Sequence, residues 1–186
     1  MPPSKIMIIR HAEKPSKDGT VWGVNEDGTN DNESLTVRGW QRAGALVRLF
    51  GPTKTALSDQ RLAGPQHLFA SRVDLAAGSK SKRSKQTLTP IAQALGVSID
   101  DSCAKGEEVG LANAIMPKTG IVLVAWERQK IPAIVQAIVG DTTSAPQAWP
   151  HDRFDVVWIL DWQDSGWKFD EAPQLLLAGD SPNGIS

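Results

Sequence analysis

Two stretches limit the possible folds more than anything else in the chain: KIMIIR (Lys5 to Arg10) and GIVLVAW (Gly120 to Trp126). Each is apolar without alternation, the pattern of a strand covered on both faces, as in the middle of a parallel sheet. Such a sheet needs helices on both sides, and helix-like segments do separate the strands. LTVRGWQRAGALVRLFG reads as a helix capped by Thr36, with Ala43, Leu46, Val47 and Phe50 on one apolar face and Gly51 closing it before Pro52. HLFAS (His67 to Ser71) reads as a short strand. KQTLTPIAQALG reads as a helix ending at Gly96, with its regular part expected to begin near Pro90. VSID is a brief extended piece, GEEVGLANAIM a short helix, and IPAIVQAIVG a helix with proline in its first turn. RFDVVWILDWQDSGWKF reads as a hairpin turning at QDSG. The expectation is a single α/β domain over residues 1–186, in three α/β/α layers with a mostly parallel central sheet.

Charge removes several function classes. Lys plus Arg number 20 against 21 Asp plus Glu, a net charge of -1, so no global field draws nucleic acid or an anionic membrane. The basic stretch SKSKRSKQ has no interleaved aromatic residues and reads as a solvated loop rather than a nucleic-acid surface. Within it Arg83 stands out, with Lys80, Lys82 and Lys85 as general attraction for an anionic substrate. The single cysteine, Cys103, allows no intramolecular disulfide and no cysteine metal cluster, in keeping with a reducing compartment. IMII is too short for a signal peptide, and no stretch approaches the ~20 apolar residues of a membrane span. A cytoplasmic protein is expected; oligomeric state leaves no signal.

The polar segment from Ser16 to Ser34 is long for a loop in a compact domain and is expected near the site. NEDGTNDNE within it fails the spacing of a calcium-binding EF-hand loop. Trp22 is its one large apolar side chain, placed to cap or select a substrate, whereas other tryptophans, such as Trp158, read as core. The end of the chain, from about residue 180 to 186, reads as a flexible tail.

Three polar clusters sit where strands stop: RHAEKP, SRVDLAAGSKSKRSKQT and WERQ. In open α/β sheets the ligand crevice lies beyond the carboxyl ends of the strands, so these distant segments are expected to converge. Arg10 and His11 follow the first strand directly. A neutral imidazole is a nucleophile, and an adjacent guanidinium offers a planar fork of donors suited to phosphate.

IMIIRHAEKP resembles the signature of the histidine phosphatase superfamily, which contains phosphoglycerate mutases and phosphohistidine phosphatases: Arg-His-Gly or Arg-His-Ala after the first strand. LTVRGWQRAGAL is similar to its Leu-Thr-x-x-Gly helix start. KRSKQTLTPIAQALG is similar to a third element, in which an arginine four residues before a threonine binds phosphate; here these are Arg83 and Thr87. RFDVVWIL through PQLLLAGD resembles a subgroup of small bacterial members. The resemblance runs from Lys5 to about Asp180. It implies a phosphoglycerate mutase-like fold, His11 as a nucleophile forming a phosphohistidine, and Arg10 and Arg83 on the phosphate oxygens. Lys14 would join the clamp, and no metal or other cofactor is implied, because cationic side chains supply the charge.

One departure bears on turnover. The family carries a second histidine after the later strand, in the small subgroup as Trp-Gln-His or Trp-Glu-His. Here the text is VLVAWERQKIPAIV, which puts Arg128 at that position, or Glu127 by a one-residue shift. Arginine donates to phosphate but cannot exchange a proton near neutrality. Glu13, Glu107, Glu108 and Glu127 are candidate proton donors to the leaving oxygen. His67 starts a strand at the end away from the crevice, and His151 is expected at the surface. The leading expectation is a metal-independent phosphatase acting on a phosphorylated small molecule or phosphoprotein. The alternative is a catalytically impaired phosphate-binding pseudoenzyme. Mutase activity fits less well, since the chain lacks room for extended substrate segments.

Overall fold

The computed structural model describes residues 1–53, 59–76 and 78–186. In chain order the elements are β1 (Lys5–Arg10), α1 (Val37–Ala45), α2 (Val47–Phe50), β2 (His67–Ala70), α3 (Arg83–Leu95), β3 (Ile99–Asp100), α4 (Glu108–Ile115), β4 (Ile121–Trp126), α5 (Ile131–Val139), β5 (Val156–Gln163) and β6 (Gly166–Pro173). They build one sheet of order β3-β2-β4-β1-β5-β6. β3, β2, β4 and β1 run parallel, while the hairpin β5–β6 adds antiparallel strands beside β1.

The unalternating runs are explained by the two cores. Ile6 and Ile8 of β1 and Val122, Val124 and Trp126 of β4 face helices α4 and α5, packing with Leu111, Ile115, Ile131 and Ile134. Met7, Ile9, Leu123 and Ala125 face the other way, onto Phe50 beside α1, and Leu88 and Ile91 of α3. Every second residue thus enters a different core, so both faces must be apolar. Trp126, Trp149 and Trp158 are buried, and the Trp158 ring meets Trp149 at a tilt and Phe169 edge-on, at centroid distances of 5.0 and 5.3 Å.

Two expectations shift. The segment after Thr36 breaks at Leu46 into α1 and α2. Helix α3 begins at Arg83 rather than near Pro90, and the proline sits inside it. An interior proline costs ~3 kcal/mol. Burying Leu88 and Ile91 completely is worth roughly 1.5–3 kcal/mol each, which offsets it. The first turn is also pinned: Thr87 Oγ1 donates to Arg83 O at 2.7 Å, and Gln86 holds Leu35 N and Ser34 Oγ at 3.0 and 2.9 Å.

Residues 180–186, read from sequence as a flexible tail, lie along the body of the protein. Asp180 pairs with Arg42 at 2.7 Å, and Ser181 N donates to Asp155 at 2.7 Å. Arg153 donates to Asn183 O, and Ile185 N donates to Glu171. No helix among the described residues is long and apolar enough to cross a membrane.

Candidate active site

Parallel strands place their carboxyl ends on one edge, and three of the polar clusters meet there. Arg10 is level with Trp126 in the β1–β4 register, and His11 N donates to Trp126 O at 3.0 Å. Glu127 and Arg128 therefore emerge next to His11. Helix α3 starts at the same edge, where Thr87 Oγ1 accepts from Ala12 N at 2.9 Å. Thr87 thus couples the loop carrying His11 to the turn carrying Arg83, a role that its place in the motif marked without explaining.

His11 is 4% exposed, and its Nδ1 lies 2.8 Å from Ala12 O. A carbonyl only accepts, so Nδ1 carries the hydrogen and Nε2 keeps its lone pair. Burial, helped by Arg83, Arg10 and Lys14 and opposed by the Ala12 bond, pushes the imidazole down to about 3. It is uncharged throughout the neutral range.

Around it stand four cations. Arg10 is buried; Nη1 donates to His151 O and Arg153 O at 2.8 and 2.9 Å, and Cζ lies 3.5 Å from the Phe154 ring centroid. Its Nε has no hydrogen-bond partner. Burial and then Arg128 lower it to about 9, with Arg83 acting in the same sense. Arg83 Nη1 donates to Asn32 O at 3.0 Å, while its Nε is buried without a partner. Burial lowers this guanidinium too, against the pull of Glu33 and Glu127. Lys14 is depressed by desolvation, then by Arg10, Arg83 and Arg128. Arg128 Nη1 donates to Trp149 O at 3.2 Å. The neighbouring cations thus lower Arg10 and Lys14, the mark of a site of positive potential.

The four carboxylates named from sequence separate by their partners. Glu13 is engaged by two arginines: Arg42 Nε and Nη2 hold it at 2.9–3.1 Å, and Arg38 adds an ion pair at 3.3 Å. Glu107 Oε2 accepts from Ala104 N at 2.6 Å and closes the turn before α4. Glu108 Oε1 accepts from Trp126 Nε1 and Gly106 N at 3.1 and 2.9 Å. Glu127 differs. It is 8% exposed, its Oε2 has no partner, and burial raises it above the usual carboxylate range, with Glu108 adding and Lys105 and Arg83 opposing. Arg83 and Glu127 line one cavity of about 190 Å³.

Of the remaining histidines, His67 Nε2 lies 3.1 Å from Thr119 O at the opposite end of the sheet, and His151 is exposed, reaching the site only through its carbonyl. Trp22 is 59% exposed in the loop after Lys14. Two contributors escaped the sequence reading. Phe154 opens a quoted stretch but gave no sign of lying under Arg10. Arg42, 2% exposed, links Glu13, Gln174 and Asp180. A charged residue beside Ala43 on the apolar face of a helix was its one signal. Burial alone would lower Arg42; bonds to Asp180 and Glu13 outweigh it and raise it.

No family model matches the sequence, and no curated protein does. Solved structures do. A protein assigned as the phosphohistidine phosphatase SixA of Agrobacterium tumefaciens is similar with a TM-score of 0.50 and 17% identity, over 91% of this chain and 97% of that one. A mycobacterial glucosyl-3-phosphoglycerate phosphatase, solved in complexes with VO3, is similar with a TM-score of 0.50 and 13% identity, over 90% of this chain and 97% of that one. These likenesses establish the fold, an α/β sheet of the phosphoglycerate mutase-like kind.

Proposed function

We propose that the chain is a phosphatase of the histidine phosphatase type, hydrolysing a phosphomonoester or phosphohistidine through a phosphohistidine on His11. One observation carries this reading: a neutral imidazole, with Nδ1 tied to Ala12 O and Nε2 left as a lone pair, stands among Arg10, Lys14, Arg83 and Arg128. In the first step Nε2 bonds to phosphorus while the ester P–O bond breaks. The arginines stabilise charge on the phosphoryl oxygens. The leaving oxygen takes the proton of the Glu127 carboxyl, which its raised affinity keeps available. Water then attacks phosphorus, giving its proton to the Glu127 carboxylate, while the P–Nε2 bond breaks and its electron pair returns to Nε2, releasing orthophosphate. The cationic side chains supply the charge that this reading needs without a metal. The phosphatases named among the structural neighbours are in keeping with it.

The family's second histidine both donates to phosphate and exchanges a proton. On this reading Arg128 takes over the first task and Glu127 the second. The pseudoenzyme alternative draws on the same residue, since Arg128 cannot exchange a proton. Hydrolysis of an aryl phosphate across pH, for wild type and His11→Ala side by side, decides between them. Activity lost in the variant supports the enzyme. No hydrolysis by either protein, with orthophosphate still bound by wild type, supports the binding protein.

A further inference from the structure

We propose that Arg153 is a positioning residue for phosphate binding: its carbonyl orients Arg10 while its guanidinium grips Asn183 and Gly184, so that residues 180–184 brace the site from outside. This rests on the phosphate site of the reading above. Arg10 is buried, yet among the described residues it forms no ion pair. Two carbonyls and a ring orient it instead: Nη1 donates to His151 O and Arg153 O at 2.8 and 2.9 Å, and Cζ lies 3.5 Å from the Phe154 ring centroid. All three belong to the segment between α5 and β5, which has neither helix nor strand from 140 to 155. A guanidinium held this way is placed only as well as that segment is.

Two side chains tie the segment down. Arg153 Nε donates to Asp155 Oδ1 at 2.7 Å, Nη1 to Gly184 O at 3.1 Å and Nη2 to Asn183 O at 2.7 Å. A planar fork is what lets one side chain meet three acceptors at once. Asp155, 5% exposed, completes the grip by accepting Ser181 N on Oδ2 at 2.7 Å. The chain they hold is itself fixed on either side. Asp180 pairs with Arg42 and accepts Leu176 N and Leu177 N, and Glu171 accepts Ile185 N. On the inner side, Arg153 O accepts Trp149 Nε1 at 3.0 Å as well as Arg10, and Trp149 O accepts Arg128 Nη1 at 3.2 Å. One short segment thus meets two of the site's four cations. With all three of its side-chain nitrogens engaged, Arg153 acts through Arg10 rather than on the phosphate itself.

Calorimetric affinity for orthophosphate at fixed ionic strength tests this apart from turnover. Arg153→Ala should weaken it by about three- to tenfold, the scale of one net hydrogen bond. Asp155→Asn keeps the shape but turns one of two acceptors into a donor, and should weaken it too. Charge alone predicts the reverse for Asp155→Asn, since removing an anion tightens anion binding. Arg153→Lys keeps the charge without the fork; it should also weaken binding, and with Asp155→Asn it carries the test if the alanine variant does not fold. Arg61→Ala, which removes an arginine beside Lys5 at the other end of β1, should bind as wild type does. If any of the three variants at Arg153 and Asp155 binds as tightly as wild type, or if Arg61→Ala weakens binding as much as they do, the brace is overturned while the phosphate site stands. Failure of wild type to bind orthophosphate overturns the phosphate site and the brace together.

Discussion

Gly39 and Gly44 lie in the same helix, yet alanine at each should act in opposite directions. A Cβ on Gly39 would lie 2.5 Å from Glu13 O and 3.1 Å from Glu13 N and Leu35 Cβ. Reaching ordinary contact at 3.4 Å requires a move of about 0.9 Å, taken up by backbone two residues from His11. The same carbonyl accepts Thr36 N at 3.0 Å and Thr36 Oγ1 at 3.3 Å, so the helix cap moves with it. Overpacking of this kind costs ~1–3 kcal/mol, against ~1 kcal/mol gained by replacing glycine in a helix. Gly39→Ala should therefore be destabilised by about 0–2 kcal/mol. A displacement near 1 Å can lower kcat/KM by about 10²-fold. Gly44 is exposed, with nothing within 4 Å of its Cβ, so Gly44→Ala should gain up to about 1 kcal/mol and keep its activity. Urea midpoints at unchanged m, with aryl phosphate kinetics, would read both. If the two variants match in midpoint and in kcat/KM, the close approach of α1 to Glu13 does not position His11.

His11 is depressed from 6.5 to about 3, so the unfolded chain binds its proton first as pH falls. The stabilisation is full above pH 6.5 and is lost as pH drops toward 3, by up to about 5 kcal/mol; urea titrations of His11→Gln should lack this component of the acid limb. Glu127 must be protonated to donate, so the rate for an alkyl phosphate should fall as pH rises through its raised value. Glu127→Gln should remove that basic limb and cost ~10²–10⁴ in kcat, while the phosphorylation step with a nitrophenyl ester, read as its burst of nitrophenol, should lose much less because that leaving group needs no proton. Arg128→His in the Glu127→Gln background should recover part of the loss. Phe154→Leu removes the ring under Arg10; a cation–π contact of ~0.5–2 kcal/mol predicts orthophosphate affinity weakened roughly 2- to 30-fold, measured by calorimetry.

The strands were legible because a β-strand's period is two and both faces of this sheet are covered. Ile6-Met7-Ile8-Ile9 can satisfy two cores only as a central strand. The helix at Arg83 was legible in kind but not in extent. Proline is a local signal that outweighs its neighbours on paper, whereas Ser84–Ser71 at 2.9 Å and Gln86–Leu35 at 3.0 Å tie the first turn to residues far away in sequence. The last residues read as a tail because their hydrogen-bonding groups look unclaimed until Arg42, Arg153 and Glu171 are brought to them by the fold.

The site shows the same division between charge and partnership. A cation at the end of a strand is read directly, because the carboxyl edge of the sheet is a place that topology fixes. Whether a carboxylate there can release a proton depends on which donors point at it. Glu13, Glu107, Glu108 and Glu127 are alike in the text. Arg42, Ala104 N and Trp126 Nε1 then claim the first three and leave Glu127 Oε2 buried and unpartnered. An orphaned buried acceptor is costly to keep, by ~1–3 kcal/mol. It is retained more cheaply as a neutral carboxyl, the state that can give a proton to a departing oxygen. The substitution of the expected histidine by Glu127 and Arg128 therefore need not remove proton transfer from the site. On the function proposed above, that task falls to Glu127, whose burial raises its proton affinity in the direction a proton donor needs.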